Sequence, residues 1–100
     1  MLQVANYDVV FTKDPDSGQE LLLLAIERID VPESHGAPVR VEAFRFETGP
    51  ALRLLFDGSN VLLPQVPEAA FSQLAHFNQV WVCWMDEGDI VDDIQIPLAA

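Results

Sequence analysis

Glycine and proline break this chain at short intervals. Pro15, Gly18, Pro32, Gly36, Pro38, Gly49, Pro50, Gly58, Pro64, Pro67, Gly88 and Pro97 leave mostly strand-sized runs between them. Proline removes a backbone donor and fixes φ, and glycine accepts the positive φ that tight turns need. The spacing therefore predicts several short strands rather than long helices.

The runs themselves carry period-two patterning. Residues 2–12 alternate at Tyr7, Val9 and Phe11, and the Lys13-Asp14-Pro15-Asp16-Ser17-Gly18 stretch that follows is turn chemistry. Residues 20–31 fit a strand with Leu21, Leu23, Ala25, Ile29 and Val31 on one side. They also fit a helix opened by Ser17-x-x-Glu20, but that helix would leave Leu23 and Leu24 outside its apolar arc. The strand is the preferred reading. Residues 39–48 form the next strand, and Gly49-Pro50 is expected to break it. Residues 52–56 and 61–63 flank Asp57-Gly58, a hairpin signal.

One helix is predicted, over residues 67–77. Pro67 suits the first helical position, Glu68 complements the helix dipole, Ala70, Phe71, Leu74, Ala75 and Phe77 give an apolar side, and Asn78 is a candidate C-cap. Residues 80–85 are apolar on both sides, as a covered central strand is. Residues 90–96 return from the turn at Gly88. Asp92 there has the parity of the core, so a bulge or a late strand start is expected. The predicted fold class is α+β: a mostly antiparallel sheet of about six strands, with the helix at 67–77 inserted before the C-terminal hairpin, in one domain over residues 1–100. A chain of this length buries roughly 65% of its unfolded surface, enough for one modest core.

Charge is where the sequence departs from the ordinary. Sixteen Asp and Glu against five Lys and Arg give a net charge of −11. That argues against direct nucleic-acid binding and against anionic membranes, both of which need a cationic footprint. The five cations, Lys13, Arg28, Arg40, Arg45 and Arg53, all precede residue 54, and seven acids follow it. Five of these, Asp86, Glu87, Asp89, Asp92 and Asp93, fall within eight residues. This cluster reads as an acidic patch that steers a basic partner. A solvated turn whose acids only aid solubility is the competing reading. The cluster lacks the EF-hand pattern, and the two histidines, His35 and His76, are too far apart for an HxxxH site, so no metal and no cofactor is predicted.

Trp81 and Trp84 fall on opposite faces of the 80–85 strand. One should fill the core, and the other needs cover from the helix or a partner. Cys83 reads as a buried, inert thiol. A Cys83–His76 dyad is the only candidate for nucleophilic catalysis, and no phosphate-binding or nucleophile-elbow motif is present. The lone cysteine excludes an internal disulfide and favours a reducing, cytoplasmic location, and residues 1–7 show no signal-peptide pattern.

Taken together, the sequence predicts a small acidic non-enzymatic protein-binding module: an inhibitor, an immunity-type protein or an adaptor for a basic protein partner. The expected contact residues are Asp86, Glu87, Asp89, Asp92, Asp93, Trp81 and Trp84. The alternative is a self-associating structural or assembly subunit, dimeric through a sheet edge, and a small enzyme with an unrecognised site is third.

Overall fold

The computed structural model describes residues 2–99. Its strands are β1 (Leu2–Gln3), β2 (Tyr7–Lys13), β3 (Glu20–Glu27), β4 (Arg40–Phe46), β5 (Gly49–Phe56), β6 (Ser59–Leu63), β7 (Gln79–Asp86) and β8 (Asp89–Ala99). They form one sheet in the order β1-β6-β5-β4-β8-β7-β3-β2. Three neighbouring pairs, β1–β6, β3–β7 and β4–β8, are parallel. The sheet is thus eight-stranded and mixed, curled into a half-barrel, not the antiparallel sheet of about six strands predicted above. Tight turns specify only antiparallel neighbours, and each parallel pair here joins strands far apart in sequence, where no local signal exists.

The curl has a covalent cause. β1 and β2 stand at opposite ends of the strand order, yet only residues 4–6 separate them. Four steps of roughly 3.5 Å bring the two rims close together. The Val4 N–H donates to the Leu62 carbonyl at 2.9 Å on one rim. On the other, the Tyr7 hydroxyl reaches back across the gap and donates to the Pro64 carbonyl at 2.6 Å.

The concave face holds the core. Val9, Leu24, Val82 and Ile94 lie side by side across β2, β3, β7 and β8. Val41, Leu54 and Val61 do the same across β4, β5 and β6. Residues 20–27 are a strand, as preferred, but its buried side is Leu22, Leu24 and Ile26 and not the predicted Leu21, Leu23 and Ala25, because the even-numbered side chains face the concave interior. The strand ends at Glu27, where a 3-10 turn over Arg28–Asp30 takes Ile29 out of the sheet and exposes it. Ser17, which the helical alternative would use as a cap, instead accepts the Gln19 N–H within the turn.

The predicted helix over 67–77 is not continuous. The α-helix α1 covers Glu68–Phe71, and a separate 3-10 turn covers Leu74–His76. Pro67 is the N-cap in an extended conformation, and not the first helical residue. Side chains compete with the helix at its end: the Ser72 hydroxyl and the Gln73 amide both donate to the Ala69 carbonyl. Asn78 does not cap the helix; its carbonyl accepts the Leu98 N–H. The broken segment still delivers Ala70, Phe71, Leu74 and Phe77 to the open side of the half-barrel.

Two expected strand breaks also differ. Gly49-Pro50 lies inside β5, and the turn falls at Glu47-Thr48. β8 runs through Pro97 to Ala99, because its pairing passes from β7 to β4 at that point. The Asp57-Gly58 hairpin forms as predicted.

Candidate functional site

The β7–β8 hairpin carries all seven residues singled out in the sequence. Its turn is the two-residue type I′ kind, with Glu87 at φ 50° and Gly88 at φ 87° between Asp86 and Asp89. Beyond it the register slips: Trp84 faces Asp92 while Met85 faces Ile90, which leaves Val91 as the extra residue of a bulge. This is the irregularity that the parity of Asp92 anticipated.

The two tryptophans diverge as the strand period requires. Trp84 is in the core at 3% exposure, and the Arg28 guanidinium lies 5.4 Å from its ring centre. Trp81 lies on the convex face, where its indole N–H donates to the Asp93 carboxylate at 2.6 Å. The hydrogen bond orients Asp93 without cancelling its charge.

Among the described residues none of the five acids forms an ion pair. Among the described residues the ion pairs are Arg28–Glu33 at 2.7 Å, Arg45–Glu68 at 2.7 Å and Arg40–Glu42 at 3.9 Å. The Arg45–Glu68 contact holds the Glu68 carboxyl below its ordinary range, mainly through hydrogen bonds at 2.7 and 3.1 Å. The front-half arginines are thus turned to other acids or to rings, and none forms an ion pair with a hairpin acid. Asp86 and Asp89 sit directly opposite each other, a like-charge pair that weakens a sheet.

A cleft adjoins the hairpin on one side. Among the described residues β8 pairs with β4 at Val41↔Leu98 and Glu42↔Ala99, and residues 28–39, which precede β4, run outside the sheet beside the rest of β8. The resulting space is about 440 Å³, and it brings Trp84, Asp92 and Asp93 together with Arg28, Glu33 and Pro38. The edge of β8 beside this cleft is guarded. The Leu98 bond to Asn78 sets the ladder phase, so Asp93, Gln95 and Pro97 turn their main-chain groups outward. Pro97 has no N–H, the Asp93 N–H is taken by the Asp92 carboxylate at 2.9 Å, and the Val91 bulge twists the rest. These are devices that stop a sheet edge from acquiring another strand. Sequence reasoning found the acids but missed the cleft and Arg28, since nothing local to residues 28–38 announces a splayed pair of strands.

Catalytic candidates do not converge. Cys83 is fully buried, and burial followed by the nearby Asp93 charge pushes its thiol up to about 11. No hydrogen bond joins it to His76, which is exposed on the 3-10 turn. Among the described residues no three His, Cys, Asp or Glu side chains converge as a metal site requires. No helix among them is long and apolar enough to cross a membrane. No protein-family model, curated protein or solved structure matches the chain.

Proposed function

We propose that this chain is a small acidic, non-enzymatic protein-binding module that engages a basic protein through the β7–β8 hairpin. The observation that carries this reading is the set of acids along one hairpin, Asp86, Glu87 and Asp89 at its turn and Asp92 and Asp93 on its second strand, which form no ion pair among the described residues and are kept there at a cost to the fold. Asp86 repels Asp89 across the strands, and Glu87 occupies a left-handed backbone position that favours Asn or Gly. Local rules broken together in this way concentrate where a surface has work other than folding.

The acids would act first at long range, raising the encounter rate with a cationic surface. Ile90 and Val91, about half exposed beside the turn, supply apolar area to bury on contact. Trp81 is positioned on the adjoining convex face and Trp84 backs the cleft from the core.

The test is affinity capture from the native host with the wild-type chain and with a variant carrying Asp86→Asn, Glu87→Gln and Asp89→Asn. The expected result is a basic protein retained by the first and lost from the second. Its association rate should fall steeply with ionic strength. An on-rate indifferent to salt, or equal capture by both chains, would refute the reading.

A further inference from the structure

The cleft between β8 and residues 28–39 is marked by more than its acids, because a guanidinium of the chain itself already lies in it. Arg28 reaches over the Trp84 ring, 5.4 Å from its centre, and donates to one oxygen of Glu33 at 2.7 Å. Trp84 and Asp92 are directly opposed across β7 and β8, so the Asp92 carboxylate is on the same face as the indole. One Asp92 oxygen accepts the Asp93 N–H at 2.9 Å, and the carboxylate forms no ion pair among the described residues. Asp93 turns its own carboxylate away, to Trp81 on the convex face. Two carboxylates, Glu33 and Asp92, thus line the space beside one aromatic face, and Arg28 pairs with the first alone. An aromatic face beside carboxylates suits a planar, weakly hydrated cation.

We infer that this cleft receives an arginine side chain of the basic partner, and that Arg28 holds its place in the free protein. The inference rests on the hairpin reading for the partner's charge, and adds which side chain the partner presents and where. Charge favours the exchange: Glu33, Asp92 and Asp93 line the cleft against the single cation Arg28. Arg28 is loosely held, since its ion pair is exposed, with the Glu33 side chain at 79%, and pairs of this kind are weak. It stands on the 3-10 turn Arg28–Asp30, outside the sheet, so its side chain can swing away without disturbing a strand. Trp84 is 3% exposed with Arg28 over it, so an incoming guanidinium gains the ring as Arg28 gives it up. The incoming group meets Asp92 as well as Glu33. A lysine fits less well, because its compact, strongly hydrated ammonium cannot lie flat on the indole.

The experiment is calorimetric titration of the full chain, at one moderate salt concentration, with an alternating Gly-Arg peptide and a Gly-Lys peptide of equal length. The variants are Arg28→Gln, Lys13→Gln, and the Asp86→Asn, Glu87→Gln, Asp89→Asn chain. Lys13 faces Glu20 at one end of β3, and Glu27 at the other end pairs with Met85 beside the hairpin turn, so K13Q removes the same charge far from the cleft. The expected result is a wild type that prefers the arginine peptide severalfold, and an R28Q that binds it severalfold more tightly than K13Q does. Equal affinity for the two peptides overturns the proposal, as does a gain in R28Q no larger than that in K13Q. If R28Q fails to fold, Arg28→Lys takes its place at unchanged net charge. It should bind the arginine peptide more tightly than the wild type, and an unchanged affinity overturns the proposal. The hairpin reading is tested separately by the turn variant. Binding that responds to the turn acids but not to Arg28 keeps that reading and removes this one. Binding that responds to Arg28 but not to the turn acids does the reverse, and a wild type that binds neither peptide removes both.

Discussion

The indole nitrogen of Trp81 lies 2.6 Å from the carboxylate of Asp93, on the convex face of neighbouring strands. The pair fastens the base of the acidic hairpin to the middle of the sheet. Its removal is expected to cost about 0.5–1.5 kcal/mol, the net worth of one hydrogen bond in a partly exposed setting. A double-mutant cycle on Trp81→Phe and Asp93→Ala, read by urea unfolding, measures the coupling. Strictly additive losses would mean that the contact contributes nothing.

Alkaline pH should destabilise the fold through two buried protons. Burial pushes the Tyr7 hydroxyl up to about 12, and burial with Asp93 pushes the Cys83 thiol up to about 11. The unfolded chain releases these protons near its ordinary values of roughly 10 and 8.5, while the native state still holds them. Stability is therefore complete below about pH 8.5 and falls as pH rises toward 12. Tyr7→Phe should flatten the upper part of that fall and cost about 1 kcal/mol at neutral pH by removing the bond to Pro64. Denaturant midpoints across the pH series, wild type against variant, test both statements; parallel curves would exclude Tyr7 as a contributor.

Salt should act in the opposite sense to its usual effect on ion-paired surfaces. The hairpin acids repel one another and the net charge is −11, so screening relieves more repulsion than attraction. The melting temperature should rise between low and moderate sodium chloride. It should rise less in the Asp86→Asn, Glu87→Gln, Asp89→Asn variant. Equal salt responses in the two chains would place the repulsion elsewhere.

Glu87→Asn is expected to stabilise the chain. Asn tolerates φ near 50° better than Glu, and Asn-Gly is the preferred pair for this turn. A gain of about 0.5–1 kcal/mol in urea unfolding is the expected size. The same substitution should weaken capture of a basic partner, so stability and binding would move in opposite directions. A variant less stable than the wild type would show that Glu87 is not strained.

How much of this was visible in the residues depends on the range of the interaction. Asp57-Gly58 announces its hairpin because the turn chemistry and both flanking strands are adjacent. Leu23 and Leu24, outside any single helical arc, decide strand against helix for the same reason, but a run apolar on both sides does not reveal that Leu22, Leu24 and Ile26 form the buried one; the misfit of Asp92 marks the bulge. The neighbour of Leu24 across the parallel pair is Val82, more than half the chain away, and no turn connects them. Residues 67–77 mislead differently: Ala70, Leu74 and Phe77 suit a helix of full length, but Ser72 and Gln73 spend their donors on the Ala69 carbonyl and tighten the end. At the site, the acids and both tryptophans were legible as residues. Their lack of cations was not, because it depends on where Arg28, Arg40 and Arg45 turn in three dimensions.

The three-residue passage from β1 to β2 makes the N-terminal arm a buckle. Because the first strand grips one rim and the second forms the other, the curvature of the whole sheet is held by backbone bonds as well as by packing. Slackening that strap with inserted residues would let the rims drift apart and uncover the side chains they enclose, even though no contact in the core had been altered.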